Sequence, residues 1–231
     1  MLRKVLFLFS LILKSKYKFN IPKKDIIIFD DEGLDLKLFQ KFLDLKNTEI
    51  LTTRNKKINS IFISPKMISL IILYLLKGNK LSVSYFIALI ISINPKLVLT
   101  RIDNSTLYSL VAKKLHKRYF FLAIQNAARY QFDEPFYDKK ILKDLFIPEL
   151  GCFGNYEKDL YQKHKIKVNK FFILGSLKLS NYLENRKIEP KEEFDICLIL
   201  EESTGWDSLY EGFEDALGLI ATHTERFAKK N

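Results

Sequence analysis

"LVLTRIDNSTLYSLVAKKLHKRYFFLAIQN", residues 97–126, carries the reading that decides the fold. An apolar run reaches Thr100 and then turns polar at Arg101, Asp103, Asn104 and Ser105. A helical pattern follows, and Ser105 is the residue type that caps such a start, its hydroxyl taking a free backbone N–H of the first turn. A second apolar run, "YFFLAI", ends in Gln125 and Asn126, with Arg129 a little further on. Strands that are apolar throughout are buried on both faces, as in a parallel sheet, and polar only where the strand stops.

Working outward, the same alternation recurs. "DIIIFD" reads as another doubly buried strand. After Gly33, "LDLKLFQKFLDL" places Leu34, Leu38, Phe42 and Leu45 on one helical face. "EILTT" and "INSIFIS" read as strands. "PKMISLIILYLLKG" is a helix with Pro65 at its start and Gly78 just past its end, and "SVSYFIALIISINP" is a second apolar helix stopped by Pro95. Downstream come the short strand "ELGCFG", the helix "NYEKDLYQKHKI", the strand "KFFILGS" and the helix "LKLSNYLENR". This alternation predicts an α/β fold, a Rossmann-like doubly wound and mostly parallel sheet. It fills residues 25–186. A charged linker at 187–193, "KIEPKEE", leads to the strand "FDICLIL" and a helical pattern, residues 194–231, read as the start of a second domain. One strand and one helix are too little for a complete α/β domain, so the expectation is a chain that stops early.

Composition narrows the function. The net charge of +11 suggests an anionic partner. The cations are overwhelmingly Lys, whereas bidentate reading of bases favours Arg; specific nucleic-acid binding is not expected. Cys152 and Cys197 lie far apart without CxxC spacing, and His116, His164 and His223 stand alone, so neither a metal site nor a disulfide framework is indicated. The default compartment is a reducing cytoplasm. Residues 1–24 form a basic amphipathic segment with seven basic and no acidic residues. Its apolar run, Val5 to Leu13, is too short to span a bilayer and is followed by lysines rather than a cleavage site. Contact with an anionic inner membrane surface is one reading, a first helix packed on the domain the other.

In an open parallel sheet, ligands bind beyond the carboxyl ends of the strands. The tips "FDDEG", "TRIDNS", "IQNAAR", "CFGN" and "LGS" would share that rim. Gln125 and Asn126 offer donors and acceptors for sugar hydroxyls; Arg101 and Arg129 suit phosphate or carboxylate; Asp103, or one of Asp30, Asp31 and Glu32, would serve as a general base. Gly154 and Gly175 would let backbone approach a ligand. Turn formation or helix capping explains any single polar tip equally well. No P-loop, GxGxxG or nucleophile elbow is present, which argues against an NTPase, a dinucleotide oxidoreductase and an α/β-hydrolase.

Taken in order, "KLVLTRIDNSTLYSLVAKKL", "RYFFLAIQNAARY" and "ELGCFGNYEKDLYQKHKIKVNKFFILGSLKLSNYL" resemble the N-terminal half of bacterial surface-polysaccharide (lipopolysaccharide and capsule) biosynthesis transferases of GT-B type, distantly like CDP-glycerol glycerophosphotransferases and capsule sugar transferases. The matching positions are Thr100, Ile102, Asp103, Asn104 and Ser105; Ile124, Gln125, Asn126 and Arg129; Phe153, Gly154 and Tyr161; and Gly175 and Ser176. The resemblance implies a glycosyltransferase-like protein that moves a sugar or polyol phosphate from a nucleotide-activated co-substrate to a glycan or lipid-linked glycan, with no resident cofactor or metal. It implies Asp103 as base and Asp31, Arg101, Asn104, Gln125, Asn126, Arg129, Gly154, Gly175 and Ser176 as substrate-binding residues. The donor-binding half would be a C-terminal domain, and the expectation for this chain is a fragment, a degenerate copy or one half of a split gene whose other half is a separate chain. A non-catalytic glycan- or nucleotide-binding scaffold is the alternative. Ala127 departs from the pattern, which has Gly there; at a positive φ, Ala would cost about 1 kcal/mol.

Overall fold

A computed structural model describes residues 16–30, 39, 41, 43–53, 60–127 and 145–185. The chain divides into two compact units, Met1–Asn185 and Arg186–Asn231. All described residues belong to the first. Residues 1–15, Asp31, Arg129, the expected linker 187–193 and the segment 194–231 lie outside them.

In chain order the elements are β1 (Lys16–Lys18), β2 (Ile26–Phe29), β3 (Thr48–Leu51), β4 (Ser60–Phe62), α1 (Pro65–Leu76), α2 (Leu81–Ile93), β5 (Leu97–Thr100), α3 (Thr106–Leu115), β6 (Phe120–Ile124), β7 (Phe146–Cys152), α4 (Asn155–Lys163), β8 (Lys167–Ile173) and α5 (Leu177–Asn185). Six strands form one sheet in the order β3-β2-β5-β6-β7-β8, and every pairing in it is parallel. The fold is therefore a Rossmann-like parallel α/β sheet, open at β3 and β8 among the described residues. The chain starts at β2, adds β3 on one side, crosses back and builds β5 to β8 on the other.

Local chemistry sets the helix ends. The Ser64 hydroxyl accepts from Met67 N at 3.2 Å, and Pro65 fills the first helical position of α1, where a missing N–H costs nothing. Helix α2 ends at Asn94, whose φ of 61° suits the left-handed closing residue, and Pro95 forbids continuation. Ser105 caps α3 through Tyr108 N at 3.2 Å, as the sequence suggests.

Most of the core lies on one face of the sheet. Ile27, Phe29, Val98, Phe121, Ala123 and Leu150 meet Met67, Phe86, Ile87, Ile90, Tyr108 and Val111 of the helices. Phe29 is the hub: its ring lies 5.1 Å from Phe86 and 5.7 Å from Tyr108, at tilted or edge-on angles that aromatic quadrupoles favour. On the other face, Leu99 and Ile124 pack with Phe39, and Leu43, Leu97, Leu122 and Leu177 are partly buried around them. Both faces are covered, which is why the strands can be apolar throughout. Helix α2 is buried along nearly its whole length, while α1 buries only Met67.

Three expectations change. "INSIFIS" does yield a strand, but β4 pairs with β1 (Lys16↔Ser60, Lys18↔Phe62) in a separate two-stranded sheet. Part of the N-terminal basic segment is thus extended strand, and Lys16–Lys18 is not helical. Leu45, expected on a helical face, opens a 3-10 turn, Leu45–Asn47, capped by the Asp44 carboxylate on Lys46 N at 3.0 Å. Ala127 is not among the described non-glycine residues with positive φ, which are Asp30, Asn94 and Lys165, so its side chain carries no such strain.

Burial makes the energetic ranking explicit. Ile90 is fully buried and Leu76 is 82% exposed. Ile90→Ala should lower unfolding free energy by about 2–5 kcal/mol and Leu76→Ala by less than about 0.5 kcal/mol, read from denaturant midpoints at unchanged m-value.

Candidate functional site

Because all six strands are parallel, their carboxyl ends lie on one rim. Asp30 follows β2, Thr53 follows β3, and Arg101, Asp103 and Asn104 follow β5; Gln125 and Asn126 follow β6, Phe153 and Gly154 follow β7, and Gly175 and Ser176 follow β8. The direction of winding reverses between β2 and β5, and adjacent crossovers leave to opposite sides of the sheet there. Such a divergence at the carboxyl ends is the usual ligand position in this architecture. Asp30 and Arg101 are the first residues beyond the two strands that flank it.

Asp30 is 2% exposed and has φ 82°, which an L-residue with a side chain adopts at a cost of about 1–2 kcal/mol. Its neighbours hold it there: Asp30 N donates to Leu51 O at 3.1 Å, and Thr53 Oγ1 donates to its carboxylate at 2.5 Å. Such strain, held by surrounding bonds, gathers at functional sites. Arg101 is 5% exposed, with its guanidinium 5.9 Å from the centroid of the Phe39 ring. A stacked cation is oriented by the ring face while its donors stay directed in the guanidinium plane.

Asp103, expected as the base, is fully buried and accepts a hydrogen bond from the Tyr161 hydroxyl of α4. The pair ties the tip of β5 to the helix after β7. Gln125 is 1% exposed and also braces the rim. Its Nε2 donates to Ala127 O at 2.7 Å, and its Oε1 accepts from Phe153 N at 3.1 Å. Asn104 is exposed and Asn126 half-buried. Ser176 caps α5, accepting from Leu179 N at 3.2 Å, and Gly175 has φ 70° with open space where a Cβ would stand. Gly154 begins α4 in an extended conformation, and a Cβ there would meet only the Glu157 carboxylate, at 3.4 Å.

The rim therefore brings together Arg101, Asp103, Asn104, Gln125, Asn126, Gly154, Gly175 and Ser176, the expected site residues that fall among the described ones. It assigns Asp103, Gln125 and Ser176 to holding loops in place. Sequence reasoning missed Thr53 and Phe39, whose roles depend on partners distant in the chain. It also missed Gly151, where a Cβ would sit 2.3 Å from Leu174 Cδ1, so a side chain there would require the exposed Leu174 tip to turn aside. Next to it, burial pushes the Cys152 thiol above its ordinary range, with Glu157 adding to the shift. That holds the sulfur as an unreactive thiol. Among the described residues no cluster of three His, Cys, Asp or Glu is placed to bind a metal ion, and no helix is long and apolar enough to cross a membrane.

Comparison of the chain with protein-family models, with curated proteins and with solved structures finds no match.

Two substitutions separate backbone strain from side-chain bonding. Asp30→Ala and Asp30→Gly both lose the Thr53 hydrogen bond, but glycine accepts the positive φ. Asp30→Gly should therefore remain more stable than Asp30→Ala by about 1 kcal/mol, measured by urea unfolding. Tyr161→Phe removes the donor from a buried carboxylate and should cost about 1–3 kcal/mol. A double-mutant cycle with Asp103→Asn should show coupling between the two sites.

Proposed function

We propose that this chain is a glycosyltransferase-like protein of bacterial cell-surface polysaccharide biosynthesis. Its parallel-sheet domain takes the acceptor side of a GT-B-type cleft. The reaction would move a sugar or polyol phosphate from a nucleotide-activated donor to a glycan or lipid-linked glycan. The acceptor hydroxyl forms the new bond, its proton passes to a base, and the nucleotide leaves with the electron pair of the broken bond. The observation behind this reading is one of placement: the segments "TRIDNS", "IQN", "CFGN" and "GS" fall on one rim, in chain order, beginning beside the β2–β5 pairing where the strand order reverses. Arg101, although only 5% exposed, is the cation at that end of the rim and of the type suited to phosphate. Asn104 and Asn126 suit hydroxyl groups of a sugar.

A second reading has its own observation. The two aspartates at the tips of β2 and β5 are buried against hydroxyl donors, Asp30 against Thr53 and Asp103 against Tyr161. A general base has to reach the proton it removes. This favours a non-catalytic glycan- or nucleotide-binding domain in which these acids hold the rim rigid.

Thermal unfolding of the purified chain with a panel of nucleotide-activated sugars and polyols distinguishes the two. Binding at about one hundred times Kd should add about 2.7 kcal/mol of stability, and Arg101→Ala should remove the shift. Release of free nucleotide in the presence of a glycan acceptor supports transfer. A thermal shift by glycan with no nucleotide release supports the binding domain, and no shift with any ligand sinks both.

A further inference from the structure

Helix α1 is out of keeping with the rest of the described structure. Its sequence, "PKMISLIILYLL", is apolar almost all round, yet Met67 is its only buried residue. Ile68, Ile72, Leu73, Leu75 and Leu76 are all exposed, and Leu81, at the start of α2, is 59% exposed. Scattered exposed aliphatics are ordinary, whereas six gathered on one helix and its following turn form a contiguous patch of the kind that marks an interaction surface. The patch is bounded by Lys66 at one end and by Lys77 and Lys80 in the turn between the helices, all exposed. From Glu49 to Asp103 the sequence contains no intervening acidic residue.

We propose that α1 and the α1–α2 turn form a docking surface for a bilayer containing anionic lipid, with the helix lying in the plane of the interface. The length suits this orientation. Twelve residues make about 18 Å of helix, well short of a span but enough to immerse one face. Leu76 and Leu81 enter the acyl boundary, and Lys77 and Lys80 between them reach back to lipid phosphates, as lysine stems lie along apolar surface while their ammonium groups stay solvated. Charge selects this occupant over a protein. Protein interfaces concentrate aromatic residues and Arg and deplete Lys, the reverse of this patch. A second copy would bring the same lysines together with no acid of this segment to answer them. Juxtaposed lysines gain instead from the negative surface potential of a membrane. The proposal does not depend on the transfer chemistry and stands or falls separately from it.

The test is co-sedimentation of the full chain with vesicles of equimolar phosphatidylglycerol and phosphatidylcholine, against pure phosphatidylcholine. The chain should bind the anionic vesicles, and more weakly as salt is raised. Ile72→Ser combined with Leu76→Ser should weaken partitioning by about tenfold or more, and Lys77→Glu with Lys80→Glu should abolish the preference for anionic lipid. Because these side chains are exposed, thermal unfolding of the free variants should match the parent and so separate lost docking from lost folding. The proposal is overturned if the parent chain does not sediment with anionic vesicles. It is equally overturned if the Ile72/Leu76 variant binds them as well as the parent does. A concentration-dependent dimer that the same variant dissolves would assign the face to a second copy instead.

Discussion

The ladder between β2 and β5, with Ile26 opposite Leu97 and Ile28 opposite Leu99, is the pairing on which the other elements depend. It joins segments about seventy residues apart, and the chain between them supplies β3 on one side and the α1–α2 pair over one face. Shifting β5 by one residue against β2 would turn Val98 away from the helices and bring Leu97 and Leu99 to the face where Ile27 and Phe29 lie. Phe29, at the end of β2, locks the register by packing on Phe86 and Tyr108 together. Among the described strands the winding reverses at this same pairing, the position where ligands bind in such sheets.

The rim built on this ladder combines two demands. Loops beyond buried strands must satisfy their polar groups, and a site needs polar groups left facing outward. Asp30, Asp103 and Gln125 answer the first demand by bonding to Thr53, Tyr161 and Phe153. Asn104 is exposed and Asn126 half-buried beside them. A rim stiffened in this way holds backbone and side-chain groups in place before any ligand arrives, which lowers the ordering cost of binding.

Much of this architecture was legible in the sequence, because doubly buried strands leave long apolar runs and helices leave caps. Ser64, Ser105, Pro65 and Pro95 each act locally, and each has the place that its chemistry dictates. The exceptions have physical reasons as well. β1 and β4 are three residues each, too short for any periodicity to stand out, and their pairing is non-local. The positive φ of Asp30 comes from the Leu51 and Thr53 bonds, which no local pattern encodes. For the site, the polar tips were visible as residue types. Whether an amide faces a ligand or braces a loop is decided by tertiary distance, and for Gln125 and Asp103 that distance favoured the brace.

Strand β8 has a consequence of a different kind. It runs seven residues along one margin of the sheet and leaves a row of backbone donors and acceptors without a neighbour among the described strands. Such a margin invites another extended chain to add on, the first step toward aggregation. Lys167, Asn169 and Lys170 are exposed along it. Two ammonium groups would have to be crowded against those of an identical strand for two copies to join in register, so the lysines act as gatekeepers. Lysines at a strand margin oppose such pairing while contributing little to the stability of the finished sheet.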